Sequence, residues 1–314
     1  MQKLPSDPGT LAEFAVILRA GGLAAFPTET VYGLGADASN SEAVLGIYEA
    51  KGRPRFNPLI VHCADLGMAE TVAEFSPLAR RLAGLWPGPL TLVLPKRPNA
   101  PVSDIVTAGL DTVAVRVPDH RLALALIGLV GRPLAAPSAN PSGRLSPTTA
   151  GQVVAGFGGR IAVLDGGPCE AGLESTIVRV DGDRLVQLRA GALARADIEA
   201  CAGVSVELPP PSGAIIAPGM MRSHYAPRAS LRLEAEAPRR GEAFLAFGAA
   251  PPGWPGPLRN LSPAGDAREA ARNLFSMLHE LDASGVDTIA VAPIPPVGLG
   301  EAINDRLARA AAPR

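Results

Sequence analysis

The sequence predicts an α/β fold in two parts, and three observations carry the prediction. Short apolar runs at residues 23–26, 59–63, 112–117 and 134–136 have the length of buried strands and alternate with stretches of helical periodicity. A proline-rich stretch, residues 208–227, interrupts the pattern, and a shorter alternation of strands and helices follows it. With 314 residues, 47% of them hydrophobic, the chain is long and apolar enough for two cores.

Composition excludes several classes. Basic and acidic residues number 29 and 30, so bulk attraction to nucleic acid is not expected and any basic site must be local. Aromatic residues make up 4%, too few for a surface that stacks single-stranded bases. Cys63, Cys169 and Cys201 are odd in number and widely spaced, which suggests neither a disulfide framework nor a zinc ribbon. Residues 1–10 lack a basic region followed by an apolar core, and no apolar run is long enough to span a bilayer. A cytoplasmic protein with no membrane partner is the expectation.

Taken in order, Thr10 is expected to cap a first helix with Leu11, Phe14, Ala15 and Leu18 on one face and Gly21-Gly22 as its stop. The strand at residues 23–26 ends at Pro27. Residues 27–37, Pro-Thr-Glu-Thr-Val-Tyr-Gly-Leu-Gly-Ala-Asp, then read as a hydroxyl- and glycine-rich loop beyond a strand, where open α/β sheets bind ligands. The segment is neither a Walker phosphate loop nor a dinucleotide fingerprint, and a structural turn is the plainer alternative. Ser41 is expected to cap a second helix that delivers Lys51 into Lys51-Gly52-Arg53-Pro54-Arg55-Phe56-Asn57-Pro58-Leu59-Ile60-Val61-His62. Three cations within five residues, stiffened by two prolines beside a strand, fit a receptor for phosphate or carboxylate; a solvated loop fits equally.

Ser76-Pro77 starts a helix stopped at Trp86-Pro87-Gly88-Pro89, and strands follow at residues 91–94 and 112–117. Arg116 lies inside the second, where a core-facing side chain would need an anion. After an apolar helix over residues 120–130, a strand runs into Pro137-Ser138-Ala139-Asn140-Pro141-Ser142-Gly143. Ser146 or Thr148 can cap the next helix, whose free N–H groups offer a phosphate site or simply a capped turn. Residues 175–180 and 185–188 pair as a hairpin across Asp181-Gly182-Asp183, and a short helix near Ile198 closes the first part. Beyond the linker, a strand at 243–247, a helix at 267–281, a strand at 287–292 and a last helix through Leu307 form a small α/β unit without a catalytic cluster.

Residues 27–37, residues 51–62, Trp86-Pro87-Gly88-Pro89-Leu90-Thr91 and residues 137–143, in that order, resemble the signature segments of YrdC-like threonylcarbamoyl-AMP synthases. Pro218-Gly219-Met220 and His224-Tyr225-Ala226-Pro227, followed by a small α/β domain, are similar to the long two-domain form. Ala217, Met221 and Ser223 depart from the family's usual linker residues, a serine before Pro-Gly-Met and more basic residues after it. The resemblance implies a YrdC-like twisted mixed sheet with flanking helices over residues 1–207, a linker or lid over 208–228, and a small Rossmann-like α/β domain over 229–314.

It also implies an activity: L-threonine, bicarbonate and ATP give threonylcarbamoyl-AMP and pyrophosphate. The product serves the threonylcarbamoyladenosine modification of tRNA beside the anticodon. The tRNA would then be an indirect partner, and the enzyme of the transfer step a candidate direct one. By the same resemblance Lys51, Arg53, Ser138 and Asn140 hold phosphates and reacting groups as the catalytic set. Thr30, Tyr32, His62, Arg116, Ala136 and Ser175 surround threonine. Arg53, Asn57, Thr112, Ser138, Ser146, Arg189 and Tyr225 make the ATP site, and His224 and Tyr225 form a lid that excludes water. Mg²⁺ is expected mainly on phosphate oxygens, since no carboxylate cluster suggests a dedicated cage. Arg55 matches no family position and is expected to be a surface cation. Two rivals carry different expectations: a double-stranded RNA-binding or ribosome-associated module, and a carbamoyltransferase using carbamoyl-adenylate.

Overall fold

A computed structural model describes residues 2–3, 8–209, 216–221, 223–251 and 253–313. Up to residue 207 its strands are β1 (Gln2–Lys3), β2 (Ala24–Phe26), β3 (Gly33–Asp37), β4 (Ile60–His62), β5 (Leu90–Pro95), β6 (Thr112–Arg116), β7 (Leu134–Ala135), β8 (Ala162–Leu164), β9 (Thr176–Asp181), β10 (Arg184–Arg189) and β11 (Val206–Glu207). They form one mixed sheet in the order β1-β8-β2-β3-β7-β4-β6-β5-β9-β10-β11. The helices around it are α1 (Pro8–Arg19), α2 (Ser41–Lys51), α3 (Leu66–Val72), α4 (Pro77–Leu82), α5 (Arg121–Val130), α6 (Ala150–Phe157) and α7 (Arg195–Ala202). A second, all-parallel sheet in the order β12-β15-β13-β14 is built from β12 (Ser230–Arg232), β13 (Ala243–Ala246), β14 (Leu258–Asn260) and β15 (Thr288–Val291), with α8 (Ala267–Ala283) and α9 (Leu299–Ala311) packed together beside it. No helix among the described residues is long and apolar enough to cross a membrane.

Alternation along the strands explains where a site can form. Successive side chains point to opposite faces, so Val61, Val113, Val115 and Ala135 join the main core with Val44, Ile47 and Leu82. On the other face, α1 and α5 cover only one end, through Phe14, Leu18, Leu126 and Leu134. The remaining end, with Ile60, Val93, Ala114 and Ile177, is covered by the linker residues Ile216, Ala217 and Met220 instead of a helix. That face holds the polar cavity.

Several local expectations are corrected. The second half of residues 27–37 is a strand, β3, paired antiparallel to β2. Gly35 makes this possible, because a Cβ there would sit 2.7 Å from Phe26 Cε1. The second helix is capped by Asn40, not Ser41: Asn40 Oδ1 accepts from Glu42 N and Ala43 N. Helix α1 begins at Pro8, so Thr10 lies within it. Thr149 caps α6 with Gln152 in a reciprocal capping box, and Gln152 Oε1 also accepts from Thr148 N. The chain's own side chains therefore claim N–H groups that were expected to offer a phosphate site. Strands β11, β12 and β14, of two or three residues each, are too short to show a period in the sequence. The stiff Pro-Pro-Pro-Ser-Gly stretch at 209–213 lies, from Pro210 on, outside the described residues, as does Arg222.

Candidate active site

Strand register brings the polar residues together. Parallel pairing of β4 with β6 sets His62 beside Arg116, and β7 runs antiparallel on the other side of β4, with Ala136 N donating to Ile60 O. Ser175 precedes β9, Arg189 ends β10, and the Arg189 Nε and Nη2 groups donate to Ser175 O. Between them lies a cavity of about 40 Å³, walled by Thr28, Thr30, Arg53, Ser138 and Glu174 as well as the residues just named. Pro218, Gly219, His224 and Tyr225 close it. Gly219, at φ +86°, allows that closure: a Cβ there would lie 2.7 Å from Arg189 Cδ and 2.8 Å from Tyr225 Oη.

The cavity is strongly cationic. Arg53, Arg116 and Arg189 line it, and Glu174 is the one carboxylate among the lining residues. Burial lowers the Arg53 pKa to about 10 and also depresses that of Arg189. Arg53 is braced by the carbonyls of Asn57 and Pro58. Arg116 is aimed from behind: Nη2 lies 2.6 Å from Glu29 Oε1, Nη1 donates to Thr30 Oγ1 and Nε to Gly88 O. A guanidinium has five N–H donors, and the hydrogen bonds to Thr30 and Gly88 claim two of them; Nη2, close to Glu29, is itself buried without a hydrogen-bond partner. His62 is neutral, its pKa driven down to about 3 by burial and then by Arg116. Burial likewise holds His224 at about 3.

Polar atoms are left waiting. Among the described residues, His62 Nδ1, His224 Nδ1 and Tyr225 Oη around the cavity, and Asn57 Oδ1 and Asn140 Oδ1 beside it, are buried without a hydrogen-bond partner. Native interiors rarely leave such atoms unpaired, so their convergence marks a place shaped for a polar ligand.

Of the residues predicted from sequence, Thr30, Arg53, His62, Arg116, Ala136, Ser138, Ser175, Arg189, His224 and Tyr225 line this one cavity. The others are placed differently. Lys51 ends α2 and its ammonium donates to the carbonyls of Ser138 and Asn140, so it clamps the 138–140 loop from beneath. Burial, then Arg53, lowers its pKa well below the usual amine value. Asn140 Nδ2 donates to Pro141 O and Arg144 O, and its side chain borders a neighbouring groove shared with α8 and Ala226. Asn57 touches the linker, with Nδ2 3.5 Å from Met221 Sδ. Ser146 Oγ donates to Glu174 Oε1 at 2.5 Å. Thr112 shares a face with Arg116 but starts β6, roughly 13 Å back at about 3.3 Å per residue.

Tyr32 is a correction. Expected beside threonine, it is fully buried in the main core, where Oη donates to Gly167 O and accepts from Gly166 N, and it is not among the residues lining the cavity. Its ring packs in the main core, while its neighbours Val31 and Gly33 line the cavity. Sequence reasoning missed Glu29, Glu174 and Arg306. Glu29 sits between the two threonines of the 27–37 segment and Glu174 immediately before Ser175, so both were within reach; Arg306, in the last helix, carried no local signal.

Comparison with known proteins places the chain in a family. Residues 16–191 match the Sua5–YciO–YrdC family model, described as "Telomere recombination", and residues 193–312 match one described as "Threonylcarbamoyl-AMP synthase, C-terminal domain". The chain is 42% identical to the threonylcarbamoyl-AMP synthase of Bacillus subtilis, over 99% of this chain and 96% of that protein. Identity to the Schizosaccharomyces pombe protein of the same name is 37%, covering 91% of this chain and 84% of that one. Its fold superposes with a TM-score of 0.90 on a crystal structure of Pyrococcus abyssi Sua5 complexed with L-threonine, at 40% identity, covering 99% of this chain and 97% of that one. The chain belongs to the threonylcarbamoyl-AMP synthase family, in its form with both domains.

Proposed function

We propose that the protein makes threonylcarbamoyl-AMP and pyrophosphate from L-threonine, bicarbonate and ATP, for the threonylcarbamoyladenosine modification of tRNA. The observation that carries this reading is the convergence of Arg53, Arg116 and Arg189 with unpaired buried polar atoms on one cavity. All three substrates are anions or carry carboxylates, and the family relation supports their identity.

The chemistry asks for positioning and charge neutralisation more than for a protein nucleophile. Threonine's amine, once deprotonated, forms an N–C bond to the bicarbonate carbon and water leaves. A carbamate oxygen then attacks the α-phosphorus of ATP, and the bond to pyrophosphate breaks. Arg116, with N–H groups to spare, is the bidentate partner for the threonine carboxylate. Neutral His62 accepts from the threonine hydroxyl or ammonium. Arg53 and Arg189 neutralise charge on the phosphates, while Lys51 holds Ser138 and Asn140 in place. Asn57 and Thr112, on the same side of the sheet, extend the nucleotide site. Mg²⁺ bound with ATP would offset phosphate charge and would be held mainly through the nucleotide, since Glu174, the carboxylate among the lining residues, is engaged by Ser146 and Arg306.

A volume of about 40 Å³ admits a few waters at ~10–15 Å³ each, and nucleotide sites run to several hundred. ATP therefore enters only when Tyr225 and its neighbours in the linker swing away. Reclosure shields the carbamate and the adenylate from hydrolysis. The product is then consumed by a threonylcarbamoyl-transfer enzyme in the cytoplasm, through which tRNA is reached. The test is pyrophosphate release from ATP. Release should require both threonine and bicarbonate; release that persists without threonine would rule the reading out.

A further inference from the structure

The C-terminal domain places a buried cation behind the wall of the cavity. Arg306, on α9, is 1% exposed, and its Nε donates to Glu174 Oε2 at 2.8 Å in the wall of the cavity. Nη2 donates to Ala190 O, next to Arg189, and Nη1 pairs with Asp305. The guanidinium carbon lies 4.9 Å from the centre of the Tyr225 ring, a cation–π distance. Tyr225 itself sits at φ +62°, a backbone conformation that a bulky residue adopts only when its surroundings hold it there. Those surroundings are Arg306, Phe275 of α8 and the ring of His224. One turn further along α9, Arg309 donates to Met221 O and accepts from His224 N, so the same helix carries the linker backbone on either side of residue 222.

Glu174 is a hazard in such a site. A carboxylate in the wall of a cavity built for a triphosphate repels the nucleotide unless its charge is cancelled, and at low dielectric the repulsion is large. Burial alone would raise the Glu174 pKa and let it neutralise, but Arg306 and Arg189 outweigh burial and keep it charged. Ser146 Oγ holds one oxygen and Arg306 the other. Without Arg306 the charge falls on Arg189, drawing it from the phosphates.

We propose that Arg306 is a positioning residue for ATP: it cancels Glu174 and seats Tyr225, so that the C-terminal domain completes the nucleotide half of the site and leaves the threonine half alone. The inference rests on the synthase reading above. It concerns Arg306 and not Arg116, whose partner Glu29 lies in the catalytic domain.

The experiment measures binding of a non-hydrolysable ATP analogue by calorimetry, together with the KM for ATP and for threonine, on the full chain. Arg306→Met is expected to weaken analogue binding and raise the ATP KM at least tenfold, with the threonine KM within about twofold. Adding Glu174→Gln to Arg306→Met is expected to restore analogue binding to within about threefold. Should Arg306→Met fail to fold, Glu174→Gln alone decides: it keeps Arg306 and removes the carboxylate charge, so it should bind the analogue at least as tightly as the native chain. Unchanged analogue binding in Arg306→Met, equal losses in both KM values, no recovery in the double variant, or tenfold weaker binding in Glu174→Gln would each overturn the proposal. A native chain that binds no analogue overturns the synthase reading and the proposal with it, whereas binding by the native chain with an indifferent Arg306→Met overturns the proposal alone.

Discussion

Two buried arginine–glutamate pairs flank the cavity, and they are built differently. Arg116–Glu29 lies within the first domain, at 4% and 9% side-chain exposure, and its arginine faces the cavity while its carboxylate stands behind. Arg306–Glu174 spans the two domains, at 1% and 6%, and there the carboxylate faces the cavity while the arginine stands behind. The same chemical pair thus serves opposite ends: one aims a cation at a ligand, the other hides an anion from it. Breaking a buried pair costs about 3–5 kcal/mol because the survivor is left uncompensated, so neither pair need add stability to be retained for function.

The comparison is broken most directly at Arg116. Arg116→Ala removes the proposed carboxylate partner and should raise the threonine KM by about 2–5 kcal/mol of lost binding, on the order of 30-fold or more, with the ATP KM little changed. Steady-state kinetics with each substrate varied in turn checks this, and unchanged threonine affinity would remove Arg116 from its role.

A second prediction concerns the pH window. The imidazoles of His62 and His224 titrate near 3 in the folded chain against an ordinary 6.5. Above pH 6.5 both are neutral, folded or unfolded, and the shift has no effect on stability. Below 6.5 the unfolded chain takes up protons that the folded chain refuses, so stability should fall towards pH 3 by roughly 1.4 kcal/mol per unit for each. Thermal unfolding between pH 7.5 and 4 should show a dropping midpoint, flattened by His62→Gln; a midpoint equally steep in that variant would locate the cause elsewhere.

The smallest effect is expected at Arg55, an exposed cation two residues from Arg53. Arg55→Ala should leave both KM values within about twofold. A tenfold change would mean that proximity in sequence to the buried cations, and not burial itself, marks the site.

Part of this is legible in the sequence. The strand that carries His62 is an apolar run ending in a polar residue, and the run of cations from Lys51, kept out of a helix by Pro54 and Pro58, fitted an anion receptor and a solvated loop equally. Tyr32 sits in a loop of threonines and glycines that the family resemblance placed at the site, and only the tertiary packing puts its ring in the core. Lys51 was expected to hold phosphates, and the helix end that delivers it points its ammonium at two backbone carbonyls.

The sequence by itself determined the α/β class and the two-part organisation, because periodicity and proline stiffness are local properties, while the cations and hydroxyls of the cavity were named through the resemblance of its motifs to a family. Tertiary structure alone decided which face of the sheet goes without a helix, which carboxylate stands behind Arg116, and that Arg306 crosses 132 residues of sequence to meet Glu174. Such pairings depend on packing between distant elements, and no local period or composition encodes them.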